Sequence, residues 1–263
     1  MKPEPLPTRA AGDATVLSRQ AIARGADLIL VLGGDGTINE VANGMIPSQV
    51  PLGILPGGTA NVLAMELGLG SQVDSAAERL GRAVARRIHV GKLICDDRPE
   101  RYFLMMGGVG LDATIVTAVN PTLKAKLGKL AYWAAGAQQF FRSIGQFQAS
   151  IAEHREQYGF VLVSRVRNYG GDLEIASQAS LLSGDFEVVT FTGSNPLRYA
   201  AYMAAVGIKQ VKKMPGVTTR RAERVQFSGS AHIQVDGEYM GESPARMEIV
   251  HDALTLLIPE TYR

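Results

Sequence analysis

Residues 26–44 read ADLILVLGGDGTINEVANG, and the fold turns on how this stretch divides. Ala26 to Leu32 is a continuous apolar run, the pattern of a strand buried on both faces. Gly33-Gly34-Asp35-Gly36-Thr37 follows directly. Ile38, Val41, Ala42 and Met45 then fall at i, i+3, i+4 and i+7, the apolar stripe of a helix. Thr37 and Glu40 stand in the capping-box relation and predict that this helix starts at Thr37. Upstream, Ala14 to Arg24 is helix-like. Downstream the pattern repeats: Leu52 to Leu55 is a short strand, Pro56-Gly57-Gly58 a turn, and Thr59 the cap of a helix carrying Leu63, Ala64 and Leu67. Two strand–glycine–helix units in succession imply a parallel α/β sheet with its loops gathered on one edge.

Such loops present unpaired backbone N–H groups at the positive end of a helix, and glycine lets a phosphate approach them closely. Gly33, Gly34 and Gly36 meet that requirement. Asp35 would repel a phosphate unless it acts through Mg²⁺ or a ribose hydroxyl; otherwise the loop is a tight turn with Asp35 as a local cap. Gly57, Gly58, Thr59 and Asn61 recreate the geometry one unit later, so the two loops can grip one ligand from both sides.

The remainder differs in texture. After Arg86, β-like segments dominate: 88–94, 101–106, 147–152, 159–164, 186–191, 232–235, 247–250 and 254–258, with helical patterns near 124–142 and 196–209. The expected architecture is therefore α/β plus mostly-β, in two lobes. Residues 1–90 form an α/β nucleotide-binding lobe to which a strand at about 251–263 returns. Residues 91–250 form an antiparallel β-rich substrate lobe with a few helices.

The 263 residues amount to about 1.8 typical domains and can bury roughly three-quarters of the unfolded surface without metal or disulfide support. Cys95 is the single cysteine, which excludes an internal disulfide and suits a reducing compartment. With 27 Lys+Arg against 25 Asp+Glu and 6% aromatics, the chain is too balanced for a nucleic-acid binder. The opening MKPEPLPTRA has no apolar signal-peptide core, and prolines break the longest uncharged run, so a cytoplasmic protein is expected.

LVLGGDGTINEVANG at 30–44 resembles the nucleotide-binding motif of the diacylglycerol kinase catalytic-domain family, which includes bacterial lipid kinases and sphingosine kinases. LGILPGGTANVLAMELG at 52–68 resembles that family's second motif, Thr8 in TRAAGDA its threonine lead-in, and Val235-Asp236-Gly237-Glu238 its Asp–Gly–Glu motif. Gly–Gly–Asp–Gly alone also occurs in NAD kinases and phosphofructokinases; the four motifs in this order are specific. The resemblance implies ATP and Mg²⁺ as cofactors and a lipid such as diacylglycerol as acceptor. Gly33, Gly34, Asp35, Gly36, Thr37, Asn39 and Glu40 would lie at the nucleotide, joined by Thr8, Gly58, Thr59 and Asn61. Asp236 and Glu238 would supply the base for the acceptor hydroxyl. Read alone, Asp236-Gly237 is a hairpin turn.

Two departures from the family pattern bear on these expectations. The family's first strand and Asn–Pro–x–x–Gly loop do not precede Thr8, so the expectation is either a fragment or mis-started reading frame, or an incomplete nucleotide lobe. At Leu181-Leu182-Ser183-Gly184-Asp185, Ser183 stands where family members often carry an Asp that binds a structural Mg²⁺. Ser180, Ser183 and Asp185 are the metal candidates there, and a hydroxyl is a poorer Mg²⁺ ligand than a carboxylate. Lys124, Lys126 and Lys129 ahead of Tyr132, Trp133, Phe140 and Phe141 suit transient contact with an anionic membrane face or an ordinary helix, as do Lys209, Lys212 and Lys213. His89, His154, His232 and His251 form no ligand pattern. An NAD kinase-like enzyme and a non-catalytic nucleotide- or lipid-binding protein are the alternative readings.

Overall fold

The computed structural model describes residues 3–111, 113, 144–170 and 173–262. It opens with helix α1 (Asp13–Ala23), strand β1 (Ile29–Gly33), α2 (Asp35–Met45), β2 (Leu52–Pro56), α3 (Val62–Glu66) and α4 (Val73–Leu80). Strands β1 and β2 pair in parallel from Ile29–Leu52 to Gly33–Pro56, which brings both glycine turns to one sheet edge. Helix α2 begins at Asp35, two residues before the expected Thr37, with Gly34 as its N-cap. Glu40 does not close a capping box on Thr37: its carboxylate accepts from the Gly12 and Ala14 amides (2.9 and 3.3 Å) and so caps α1 instead. Thr59 is not the cap of α3. Asn61 holds that place in a left-handed conformation (φ 47°).

The rest is antiparallel ribbon. β3 (Val84–Cys95), β4 (Arg98–Phe103), β5 (Met106–Gly110), β6 (Phe147–Ile151), β7 (His154–Tyr158), β8 (Phe160–Ser164), the short β9 (Asn168–Gly170) and β10 (Leu173–Glu174), and β11 (Phe186–Phe191) precede helix α5 (Pro196–Gly207). β12 (Val217–Ala222), β13 (Arg224–Ser228), β14 (His232–Val235), β15 (Glu238–Glu242) and β16 (Ala245–Ile258) follow. One six-stranded sheet runs β12-β11-β8-β5-β14-β15. An eight-stranded sheet runs β1-β2-β16-β13-β6-β7, with β3 on β16 and β4 on β3.

The expected strand at 101–106 is two strands, broken at Leu104-Met105, whose amides turn to a partner far along the chain. Conversely, 247–250 and 254–258 are one strand, β16, with a register shift between Val250 and Leu254. Its first residues pair with β13 and its last part with β2, through Leu256–Leu52, while β3 lines its other edge on both sides of that shift. The expected helix at 124–142, with its lysines and aromatics, lies outside the described residues.

Strand β8 is an apolar run up to Ser164, and every residue of β11 is buried, Glu187 and Thr190 included, because both faces of their sheet are covered. Val161, Val163, Phe186 and Val188 enter the core between the two sheets, with Phe147, Val225, Phe227 and Met247. Leu162, Val189 and Phe191 enter the second core, under α5 and contiguous with Ile38, Leu63 and Leu254. Glu66, at the end of α3, fastens the two parts: its buried carboxylate accepts from Arg167 N (3.0 Å), Arg167 Nε (3.1 Å) and Tyr262 Oη (3.0 Å).

Candidate active site

The two glycine turns pack backbone to backbone. A Cβ on Gly58 would stand 2.5 Å from the Gly34 Cα, and one on Gly57 would stand 3.0 Å from the Gly33 nitrogen. The Gly57 amide donates to the Gly33 carbonyl at 2.9 Å. Asn61 closes the second turn on itself, accepting from Gly58 N (2.8 Å) and donating to Gly58 O (2.9 Å). Asp35 does not face outward: its carboxylate accepts from Val62 N and Leu63 N (3.1 and 3.2 Å), capping α3 and clamping one turn to the other. Burial raises its pKa above the ordinary carboxylate value against those two bonds. Asp35 is thus a local cap, and the charge that would repel a phosphate is turned away from the open side.

That open side is the first turn of α2. No side chain caps it, and a Cβ on the exposed Gly36 would meet nothing within 4 Å. Beside it, Thr8, Arg9, Ala10, Ala11, Thr37 and Glu40 line a cavity of about 300 Å³. Thr8 is held there indirectly, since Asp13 accepts from Arg9 N (2.7 Å) and Ala10 N (2.9 Å). These bonds pull the Asp13 pKa below its ordinary value. Thr8, Thr37 and Glu40 therefore meet at one cavity next to Gly36, while Gly33, Gly34, Gly58 and Asn61 form the adjoining turns and Thr59 lies exposed on the second. An uncapped helix N-terminus with an unobstructed glycine and a neighbouring polar cavity fits a nucleotide polyphosphate.

The Asp–Gly–Glu motif reaches this edge from the other part of the chain. Asp236 (φ 48°) and Gly237 (φ 81°) make the two-residue turn of the β14–β15 hairpin, with Val235 opposite Glu238. Asp236 is half-buried, and its inward-facing carboxylate spends all its acceptor capacity. Oδ2 accepts from Leu104 N (2.8 Å) and Asn39 Nδ2 (2.7 Å); Oδ1 accepts from Met105 N (3.0 Å) and Met106 N (2.9 Å). These bonds interrupt the strand at 104–105. Burial nevertheless outweighs them and pushes the Asp236 pKa up to about 6. Glu238, by contrast, is exposed and pairs with Arg101 at 2.6 Å.

Asn39 is accordingly a buried connector from α2 to Asp236 and to the Tyr102 carbonyl (3.1 Å). Asn43, one turn on, accepts from Tyr102 N (3.0 Å) and donates to Tyr102 O (2.9 Å). Sequence reasoning missed Asn43 and Arg101. The i, i+4 pair of asparagines on an otherwise apolar helix face was a usable signal for Asn43; Arg101 carried none.

Ser180, Ser183 and Asp185 share one loop but do not present a metal site. Both Asp185 carboxylate oxygens are taken by Arg221, which lowers the Asp185 pKa. Ser180 Oγ accepts from Leu182 N, and the Ser180 carbonyl accepts from Ser183 N. Among the described residues, no three His, Cys, Asp or Glu side chains converge as a cation would need. A structural Mg²⁺ does not fit this donor set.

Residues 1–93 match the diacylglycerol kinase catalytic domain, and residues 107–258 match the YegS C-terminal NAD kinase beta sandwich-like domain. A diacylglycerol kinase of Bacillus subtilis (strain 168) is 30% identical over 262 residues, spanning 96% of this chain and 84% of that protein. A diacylglycerol kinase of Staphylococcus haemolyticus is 28% identical over 251 residues, spanning 90% and 73%. A crystal structure of a diacylglycerol kinase from Bacillus anthracis str. Sterne superposes with a TM-score of 0.75 over 98% of this chain and 86% of that one. At 22% identity, that last likeness speaks to the fold.

Proposed function

The chain belongs to the diacylglycerol kinase catalytic-domain family, and from that premise we propose that it is an ATP-dependent lipid kinase whose acceptor is the hydroxyl of a diacylglycerol. The observation that carries this reading is the 2.7 Å bond from Asn39 to Asp236, which ties the Asp–Gly–Glu turn to the helix whose N-terminus faces the polyphosphate cavity. Phosphoryl transfer asks a protein chiefly to position donor and acceptor and to offset charge on the transferred group. Here the first-turn amides of α2 and Gly36 receive the phosphates, Thr8 and Thr37 flank the nucleotide, and Mg²⁺ arrives with ATP as its counterion.

The two carboxylates of the turn divide the work. Asp236 has both oxygens engaged and anchors the hairpin. Glu238, two residues on and open to solvent, accepts the proton of the acceptor hydroxyl as its oxygen bonds to the γ-phosphorus and the bond to ADP breaks. Arg101 holds Glu238 in place before the acceptor arrives. Among the described residues no helix is long and apolar enough to cross a membrane, and the acceptor is met at a membrane surface that the protein, a cytoplasmic enzyme, visits from the inner face.

Labelled ATP offered with diacylglycerol vesicles, a sphingoid base or NAD tests the assignment. Label is expected in phosphatidic acid. Label in NAD alone, or ATP binding without transfer to any acceptor, would overturn it.

A further inference from the structure

Arg165 directly follows strand β8 and is fully buried, with none of its side chain open to solvent. A buried arginine ordinarily pairs with a carboxylate. This one does not. Its hydrogen bonds all go to main-chain carbonyls: Nη1 to Asp185 O (2.7 Å), Nη2 to Leu181 O (2.7 Å) and to His89 O (3.0 Å). Burial draws its pKa down to about 10, which leaves it charged at neutral pH. A cation enclosed by carbonyl oxygens from one tight loop and one neighbouring strand is the arrangement that a bound hard metal ion makes. Two of the three oxygens belong to the loop that also carries Ser180 and Ser183.

We propose that the Arg165 guanidinium is the resident cation of the 180–185 loop, so that this loop is held on β3 by a covalently attached charge and takes no divalent metal. The remaining donors agree with this. The His89 amide also donates to Leu181 O (3.3 Å), the Leu181 amide donates to Tyr262 Oη (3.0 Å), and the Asp185 carboxylate is turned to Arg221. A divalent ion added at the carbonyls would meet the guanidinium at contact distance, and like charges at that range repel strongly in a buried setting. The loop is held in this way whichever acceptor the protein phosphorylates.

The test is thermal unfolding of the nucleotide-free protein, first in EDTA and then across a titration of MgCl₂ and of CaCl₂, for the wild type and for Ser183→Ala. Neither protein is expected to gain Tm from metal beyond an NaCl control of equal ionic strength, and such a gain in both would overturn the proposal. A stabilisation by metal that is larger in the wild type than in Ser183→Ala would overturn the proposal. Arg165→Ala should lower Tm by roughly 10 °C. Low-millimolar guanidinium chloride should then raise the Tm of Arg165→Ala while leaving the wild type unmoved, a rescue that lost packing alone would not give. An Arg165→Ala protein as stable as the wild type would also overturn it. Should that variant not fold, the comparison of wild type with Ser183→Ala decides alone.

Discussion

Asp236 is half-buried and Arg165 fully buried, and the molecule surrounds their charges in opposite senses: four N–H donors converge on the anion, three carbonyl oxygens on the cation. Each of these enclosures is main chain apart from the Asn39 amide. The outcomes differ because the starting points differ. An arginine whose pKa falls to about 10 is still charged, whereas a carboxylate pushed up to about 6 sits within reach of neutral pH. The difference shows that main-chain donors can fix a carboxylate's geometry without fully replacing the water it loses. It also separates two tasks: the anion sets the position of the turn bearing Glu238, and the cation sets a loop that presents no reacting group.

The sharpest way to break that division is at Glu238. Glu238→Gln should reduce turnover by about 10²- to 10⁴-fold while leaving Tm unchanged, as measured by phosphate transfer and thermal unfolding on the same preparation. An active Gln variant would remove the base from Glu238. Asp236→Leu should act first on the fold, stranding the amides of 104–106 and Asn39; a loss of about 3–5 kcal/mol in denaturant unfolding is expected.

The pH dependence follows from the sign of the Asp236 shift. Its pKa in the folded chain, about 6, lies above the ordinary 3.8, so the folded state holds this proton more tightly than the unfolded one. The corresponding stability is present in full below about pH 4 and is lost as the pH rises through 6, an effect of roughly 3 kcal/mol. Tm of the wild type relative to Asp236→Asn should therefore fall across that window and level off above it. A flat difference curve would mean that the four donors fully compensate the buried charge.

Smaller effects sharpen the rest. Gly58→Ala should force the two glycine turns apart, costing about 1–3 kcal/mol and raising the KM for ATP, because its Cβ would meet the Gly34 backbone rather than a flexible side chain. Asp185→Asn, which weakens a partly exposed pair with Arg221, should change stability by about 1 kcal/mol or less.

What the sequence made legible was whatever a local pattern enforces. The two strand–turn–helix units and strands such as 186–191 and 232–235 stand where β-prone residues and turn residues place them, although β1, expected to be buried on both faces, leaves Leu30 and Leu32 exposed on one. What stayed hidden depends on partners far apart in the chain. The break at 104–105 comes from Asp236, and Glu40 looks like a cap for its own helix yet caps α1. Arg165 resembles any lone charge at a strand end, because the carbonyls that enclose it belong to His89, Leu181 and Asp185 and carry no side-chain signal.

β16 has a consequence for the order in which the protein can complete itself. Synthesis delivers β1 and β2 early, with both glycine turns, but their sheet gains its next strand only through Leu256, about 200 residues later. That same strand, in its first half, is a member of the β-rich part. The sheet that carries the two glycine turns is therefore begun early and finished late, and a nascent chain must hold those turns on an incomplete sheet until almost the whole of the β-rich part has been made.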